Sequence, residues 1–240
     1  MIRALCLLLL LAFPARAEQA GALTLDPGSR ARDGLAAGAL VWVHFFARDL
    51  PAPDAPEIAR SLAAAGYDIW RFDRAGGPDP LEEGAQRLAA GTKALRARGY
   101  RRLVLLGESR GAFIILVALR EPGLAEAAIL AAPAAHGRSE ERRPQALADF
   151  AAALDRAVPG PRLALFLFQD DAWDPDPAAR AALFRAAIAR LGTPGLLVDR
   201  PAAPTGHGGL SEPEFLARHG ACLQAFLDPG NGATTLTGCP

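Results

Sequence analysis

The stretch that most constrains this chain is Leu103-Val104-Leu105-Leu106-Gly107-Glu108-Ser109-Arg110-Gly111-Ala112-Phe113-Ile114-Ile115-Leu116. Its first four residues form a short apolar run of the kind a buried strand needs. Its last six are apolar as well and continue through Val117-Ala118-Leu119, long enough for a buried helix. Between the two lies Gly107-x-Ser109-x-Gly111. A strand that turns at once into a helix holds its central residue on a tight tip and projects the Ser109 hydroxyl clear of the sheet. Glycines on both flanks remove the Cβ atoms that would clash in so sharp a turn. The helix that follows aims its free N–H groups at any anion formed at that tip.

The chain has 24 glycines and five serines in 240 residues. Chance supplies Gly-x-Ser-x-Gly only ~0.05 times in such a chain, before any demand for strand and helix flanks. On this motif and its setting the sequence resembles the α/β-hydrolase superfamily, and in particular its small, nearly lidless, dienelactone-hydrolase-like and esterase-like members.

The remaining pattern reads as an alternation of strands and helices. Leu23–Leu25 is an edge strand, and 39–46, 67–72, 102–106, 127–132, 163–168 and 196–199 are buried strands. Between them lie helices over 54–65, 79–98, 145–157 and 176–191, with a last one from Ser211 to about Leu227. Asp54 with Glu57, and Ser211 with Glu214, have capping-box spacing. Asp79 and Asp176 precede prolines that open helices, and Gly66, Gly99 and Gly192 close them. This order predicts an α/β fold in one domain over 18–240, with a mostly parallel sheet covered by helices on both faces; the resemblance implies that it is an α/β-hydrolase domain. The stretch between 132 and 163 has room for one helix and a short polar loop, so the expected site is open.

Residues 1–17 read as a signal peptide. Arg3 supplies the positive start, Leu5 to Phe13 an apolar segment too short to span a bilayer, and Ala15-Arg16-Ala17 a small-x-small cleavage site. The expected location is periplasmic or secreted, with no stable membrane anchor after cleavage. Processing leaves 24 basic and 26 acidic residues, without a basic run, so nothing favours nucleic acid. It also leaves two cysteines, Cys222 and Cys239. An exported chain with an even count predicts that they pair, closing a loop of 17 steps.

The resemblance implies chemistry at named positions. Ser109 is the expected nucleophile, activated by a histidine that a carboxylate orients. In this superfamily the acid and then the histidine follow the serine, each on a loop after a strand. His207, in Pro204-Thr205-Gly206-His207-Gly208-Gly209, occupies the last such loop. The loop after 163–168 reads Gln169-Asp170-Asp171-Ala172-Trp173-Asp174-Pro175-Asp176. The family's Gly-x-x-Asp pattern, laid on Phe168, picks Asp171, with Asp174 and Asp170 as alternatives; Asp176 suits the helix cap. The oxyanion donors implied are the backbone N–H of Arg110 and that of Phe46, with Phe45 as the alternative to Phe46. Here His44-Phe45-Phe46 stands where the family has His-Gly-Gly or His-Gly-x.

Arg110 can bind a substrate carboxylate or pair with Glu108 or another surface acid. His219 is expected at a surface or interface, and His136 in a loop near the mouth of the site. Histidines and cysteines show no metal-ligand spacing, and there is no phosphate loop or dinucleotide fingerprint. The expected reaction is cleavage of an acyl bond in a small molecule, most readily a carboxylic ester, with no cofactor. Acyl transfer, peptide cleavage and a catalytically inactive binding scaffold are the alternatives.

Overall fold

A computed structural model describes residues 19–26, 38–45, 53–74, 80–230 and 236–239. The expected signal peptide, Phe46 and the Asp79 cap lie outside the described residues.

The strands are β1 (Gln19–Ala20), β2 (Leu23–Leu25), β3 (Gly38–Val43), β4 (Tyr67–Phe72), β5 (Leu103–Glu108), β6 (Ala127–Ala131), β7 (Arg162–Leu167), β8 (Gly195–Asp199) and β9 (Leu236–Thr237). The helices are α1 (Glu57–Ala64), α2 (Leu81–Ala97), α3 (Arg110–Ala118), α4 (Arg143–Arg156), α5 (Pro177–Leu191) and α6 (Pro213–Leu227). The strands form one sheet in the order β1-β2-β4-β3-β5-β6-β7-β8-β9. β1 and β2 pair antiparallel at one edge, and every pairing from β4 through β3 to β9 is parallel.

Alternation along the strands explains the two-sided cover. Val41 and Val43 of β3, with Leu103 and Leu105 of β5, face a core shared with α2, α3, α4 and α5. Leu40, Trp42, Val104 and Leu106 face the opposite core, with Ile58 and Leu62 of α1 and Phe215 and Leu223 of α6. Both faces of each central strand are therefore apolar, which is why these segments read as continuous hydrophobic runs. The strand order reverses at β3, whose neighbours are β4 and β5. The crevice outside the carboxyl ends of the strands at such a reversal is where open α/β sheets bind ligands.

The expected elements are present, with corrections at their ends. β1 and β9 have only two residues each, too short for a periodic signal. Asp54 does not cap α1: the prolines at 53 and 56 keep the chain extended, Pro56 takes the cap position, and its carbonyl accepts from Ala59 and Arg60. Ser211 does not cap α6, because Glu212 occupies that position and no side chain caps the helix. The caps at α5 are as read, with the Asp176 carboxylate accepting from the Ala179 N–H at 2.9 Å and Gly192 left-handed at φ 60°. Between β6 and β7 there is a 3₁₀ turn (Glu140–Arg142) and α4. The Phe150 and Leu154 side chains of α4 are buried in the core, so α4 belongs to the helical layer and does not cover the site. Among the described residues no helix is long and apolar enough to cross a membrane.

Cys222 of α6 is bonded to Cys239 just beyond β9, with Cα atoms 5.8 Å apart. The bond ties the sheet's last strand to the helix behind it, and β9 makes only two registered pairs with β8. In the chain-entropy view a closed loop of this length stabilises by about 3 kcal/mol. The double variant Cys222→Ser, Cys239→Ser is expected to lose about that much unfolding free energy, read as a lower denaturant midpoint at unchanged m-value. Wild-type protein should match it once reduced. Equal midpoints would show that the bond carries no stability.

Candidate active site

The turn between β5 and α3 sets the geometry. Ser109 has φ 54° and ψ −120°, a conformation that non-glycine residues adopt only when their surroundings enforce it. Its N–H donates to the Ala131 carbonyl at 2.9 Å, and its carbonyl accepts from Phe113 and Ala134. The flanking glycines are steric requirements. A Cβ on Gly107 would lie 2.7 Å from the Ala112 backbone, and one on Gly111 1.8 Å from the Val43 carbonyl oxygen. Close approach of α3 to the ends of β3 and β5 depends on both.

His207 sits on the loop between β8 and α6. Its Nε2 is 2.7 Å from Ser109 Oγ. Its Nδ1 lies 2.9 and 3.0 Å from the two carboxylate oxygens of Asp171. The Asp171 side chain is 3% exposed and that of His207 23%. The Trp173 N–H donates to Asp171 Oδ1 at 2.8 Å, and the Gly206 N–H to the Gln169 carbonyl at 2.7 Å, so the acid loop and the histidine loop brace each other. The structure thus brings Ser109, His207 and Asp171 into one hydrogen-bonded chain. With Nδ1–H donating to the carboxylate, Nε2 is left as the acceptor for the serine hydroxyl.

The other aspartates of that loop are spent elsewhere. Asp174 forms a buried ion pair with Arg180 at 3.3 Å. Burial pushes the Asp174 carboxyl up and the Arg180 guanidinium down. Arg180 also donates to the Pro133 carbonyl and lies over the Phe150 ring, which pins α5 to the segment after β6. Asp170 is exposed with φ 59°, and Asp176 caps α5.

Arg110 is the first residue of α3, where backbone N–H groups have no intrahelical partner; its guanidinium donates to the Ala135 carbonyl at 3.3 Å. Pairing of Arg110 with Glu108 is replaced by another contact: Glu108 turns under the elbow and accepts from Ser211 Oγ at 2.9 Å. Phe45 lines the cavity next to Ser109. His44 is buried, with Nδ1 2.7 Å from the Phe45 carbonyl, and burial lowers its pKa. His219 is not at a surface: it is 3% exposed, packs against Phe166 and Phe215, and has its pKa lowered by burial. His136 lies beside the site as expected, 2.7 Å from Asp149 and edge-on to Phe113. Among the described residues no cluster of His, Cys, Asp and Glu could hold a metal ion.

A cavity of ≈ 690 Å³ opens over Ser109, lined among others by Phe45, Arg110, Ala134, Trp173 and His207. Two features here are absent from the sequence reading. The Trp173 ring stacks on His207 with centroids 5.3 Å apart at 29°, and the Arg138 guanidinium covers Trp173 from 5.1 Å. Beneath the cavity, Glu108 and Ser211 form their hydrogen bond. The sequence signal for Trp173 is its place two residues after Asp171. For Glu108 it is a charged residue ending an otherwise apolar strand.

No family model matches the sequence, and no curated protein matches it. Solved structures do. The chain superposes on the Pyrococcus furiosus esterase Pf2001 with TM-score 0.59 at 17% identity, over 80% of this chain and 84% of that one. It superposes on Est1E from Butyrivibrio proteoclasticus with TM-score 0.59 at 14% identity, over 85% and 92%. A puromycin-hydrolyzing peptidase of Mycobacterium tuberculosis matches with TM-score 0.62 at 16% identity, over 93% of this chain but 40% of that one. The chain thus spans about two fifths of that peptidase's length, and 38% of an acylaminoacyl peptidase's. The fold is the α/β-hydrolase fold.

Glu108 is 2% exposed, and burial raises its pKa from 4.5 to about 7. A carboxyl whose folded pKa is raised favours folding fully only below its unfolded pKa, and that stability is lost as pH rises through the folded value. The loss therefore develops between pH 4.5 and about 7 and reaches at most about 3 kcal/mol. Gln at this position does not titrate. Glu108→Gln is expected to raise the melting temperature above that window and to change it little at the acid end. A difference in melting temperature that does not vary with pH would contradict the assignment.

Proposed function

We propose that this protein is an exported serine hydrolase that cleaves an acyl bond, most readily a carboxylic ester, with Ser109 as nucleophile, His207 as base and Asp171 as the acid that orients it. The observation that carries the reading is the hydrogen-bonded chain through His207, at 2.7 Å to Ser109 and 2.9 Å to Asp171.

His207 takes the proton as Ser109 Oγ attacks the acyl carbon, and Asp171 stabilises the imidazolium that forms. The oxyanion lies at the N-terminus of α3, where the Arg110 N–H is one donor; the Phe46 N–H is proposed as the second. Collapse expels the alcohol with the proton from His207. A water deprotonated by the same imidazole then releases the acid from Ser109. The cavity's bulk and its Phe45 and Trp173 walls suit an apolar group on the substrate. Ester cleavage is favoured over peptide cleavage because the esterase neighbour has this chain's size, whereas the chain spans about two fifths of the peptidases. Export is supported by residues 1–17 and by the Cys222–Cys239 bond, which persists in oxidising compartments.

Ser109→Ala should abolish labelling by a fluorophosphonate and turnover of a short-chain ester, with His207→Ala nearly as inactive and the double variant little worse. Wild-type turnover in Ser109→Ala would leave the binding-scaffold alternative. The two aspartates should separate by what they lose. Asp171→Asn should lower kcat by about 10³–10⁴-fold in a folded protein. Asp174→Asn, which strands the buried Arg180, should cost about 3–5 kcal/mol of stability while the folded fraction keeps its kcat. The reverse pattern would move the orienting role to Asp174. N-terminal sequencing of exported protein should begin near Glu18, and a start at Met1 in a soluble cytosolic fraction would remove the export assignment.

A further inference from the structure

We propose that Glu108 and Ser211 form a clasp that holds the His207 loop against the nucleophile strand, with Glu108 as a positioning residue for the base. The inference rests on the serine-hydrolase reading and adds a group to it. Glu108 is the last residue of β5, directly before Ser109; Ser211 lies four residues after His207, in a short 3₁₀ turn over Gly209–Ser211. The Ser211 hydroxyl donates to Glu108 Oε2 at 2.9 Å, while Glu108 Oε1 is buried without a hydrogen-bond partner. The loop is therefore fastened twice. Gly206, one residue before His207, donates to the Gln169 carbonyl on the acid loop. Ser211, on the other side, is tied to the strand that carries the nucleophile.

Leu210 between them is 1% exposed, and a Cβ on Gly209 would strike the Phe168 ring at 2.7 Å. Asp171 sets which way the imidazole faces. The clasp sets how far the ring stands from Ser109 Oγ, a distance on which proton transfer depends steeply.

The carboxylate is a costly way to make an ordinary anchor, since burial opposes its charge and holds its pKa about 7. The cost is explained by what faces it. Besides the Ser211 hydroxyl, the titratable group that acts on it is His207. Arg110, on α3, directs its guanidinium to the Ala135 carbonyl. Ionised Glu108 thus supports the imidazolium through their charge interaction, and one further proton near neutrality weakens that support.

The test uses the second-order rate of fluorophosphonate labelling of the full-length protein, between about pH 5 and about pH 9, so that no substrate need be known. Unfolding curves are recorded alongside. Glu108→Gln is expected to fold and to label about ten- to a hundredfold more slowly than wild type at the alkaline plateau. Its acid limb should be shallower, with one proton in place of two. Ser211→Ala, which leaves the carboxylate in place, should be slower by about fivefold. The double variant should be no slower than Glu108→Gln, because both changes open the same clasp. Wild-type rate and pH profile in Glu108→Gln would overturn the clasp, as would losses that multiply in the double variant. Folded wild-type protein that fails to label would overturn the serine-hydrolase reading, and the clasp with it, a result distinct from failure of the clasp alone.

Discussion

The close approach of α3 to the end of β3 governs this structure. At Gly111 a single methyl would sit 1.8 Å from the Val43 carbonyl oxygen. With only hydrogen there, the helix starts directly above the sheet, and Gly111 through Ala118 are buried. A helix buried on all sides is held by packing more than by propensity. That packing over-determines the turn before it, so Ser109 keeps a left-handed φ that by itself costs of order 1–3 kcal/mol. The strain is offset by the Ala131, Phe113 and Ala134 backbone bonds around the serine. The nucleophile position follows from that one contact, and it falls at the crevice where strand order reverses.

Around that tip three acidic side chains are held in three different ways. Asp171 is almost fully buried and shares both oxygens with His207. Asp174, three residues on, is paired with buried Arg180 and fastens α5 to the segment after β6. Glu108 is buried with one oxygen on a serine hydroxyl and the other without a hydrogen-bond partner. Asp174 has the Arg180 guanidinium beside it, whereas Glu108 has no such ion-pair partner and its pKa is driven up to about 7. A buried charge is tolerable when paired and expensive when merely hydrogen-bonded.

Much of the architecture was legible because its signals are local. The β5 strand, the elbow and α3 were marked by an apolar run on each side of two glycines. β3, β4, β6, β7 and β8 were apolar runs between breakers. The α5 caps at Asp176 and Gly192 were read with their mechanism. What failed was equally local in appearance and decided elsewhere. Asp54 has the spacing of a cap but is held away from α1 by its flanking prolines. Ser211 has the spacing of a capping box, yet its hydroxyl is taken by Glu108, 103 residues earlier. His219 sits in a helix whose inner face becomes visible only once Phe166 of β7 lies against it.

By itself the sequence determined the order of elements, the position of Ser109 on its turn, the candidacy of His207 and the pairing of the two cysteines. Each depends on neighbours in the chain or on a simple count. The family resemblance favoured Asp171 among the loop aspartates, and tertiary structure decided that it, not Asp174, meets His207, because α5 brings Arg180 to Asp174 and the β8–α6 loop brings His207 to Asp171. It also decided that Trp173 stacks on the imidazole and that Glu108 faces Ser211. Such contacts join residues distant in sequence, and their energies depend on burial and on a few tenths of an ångström, which no pattern of residue types encodes.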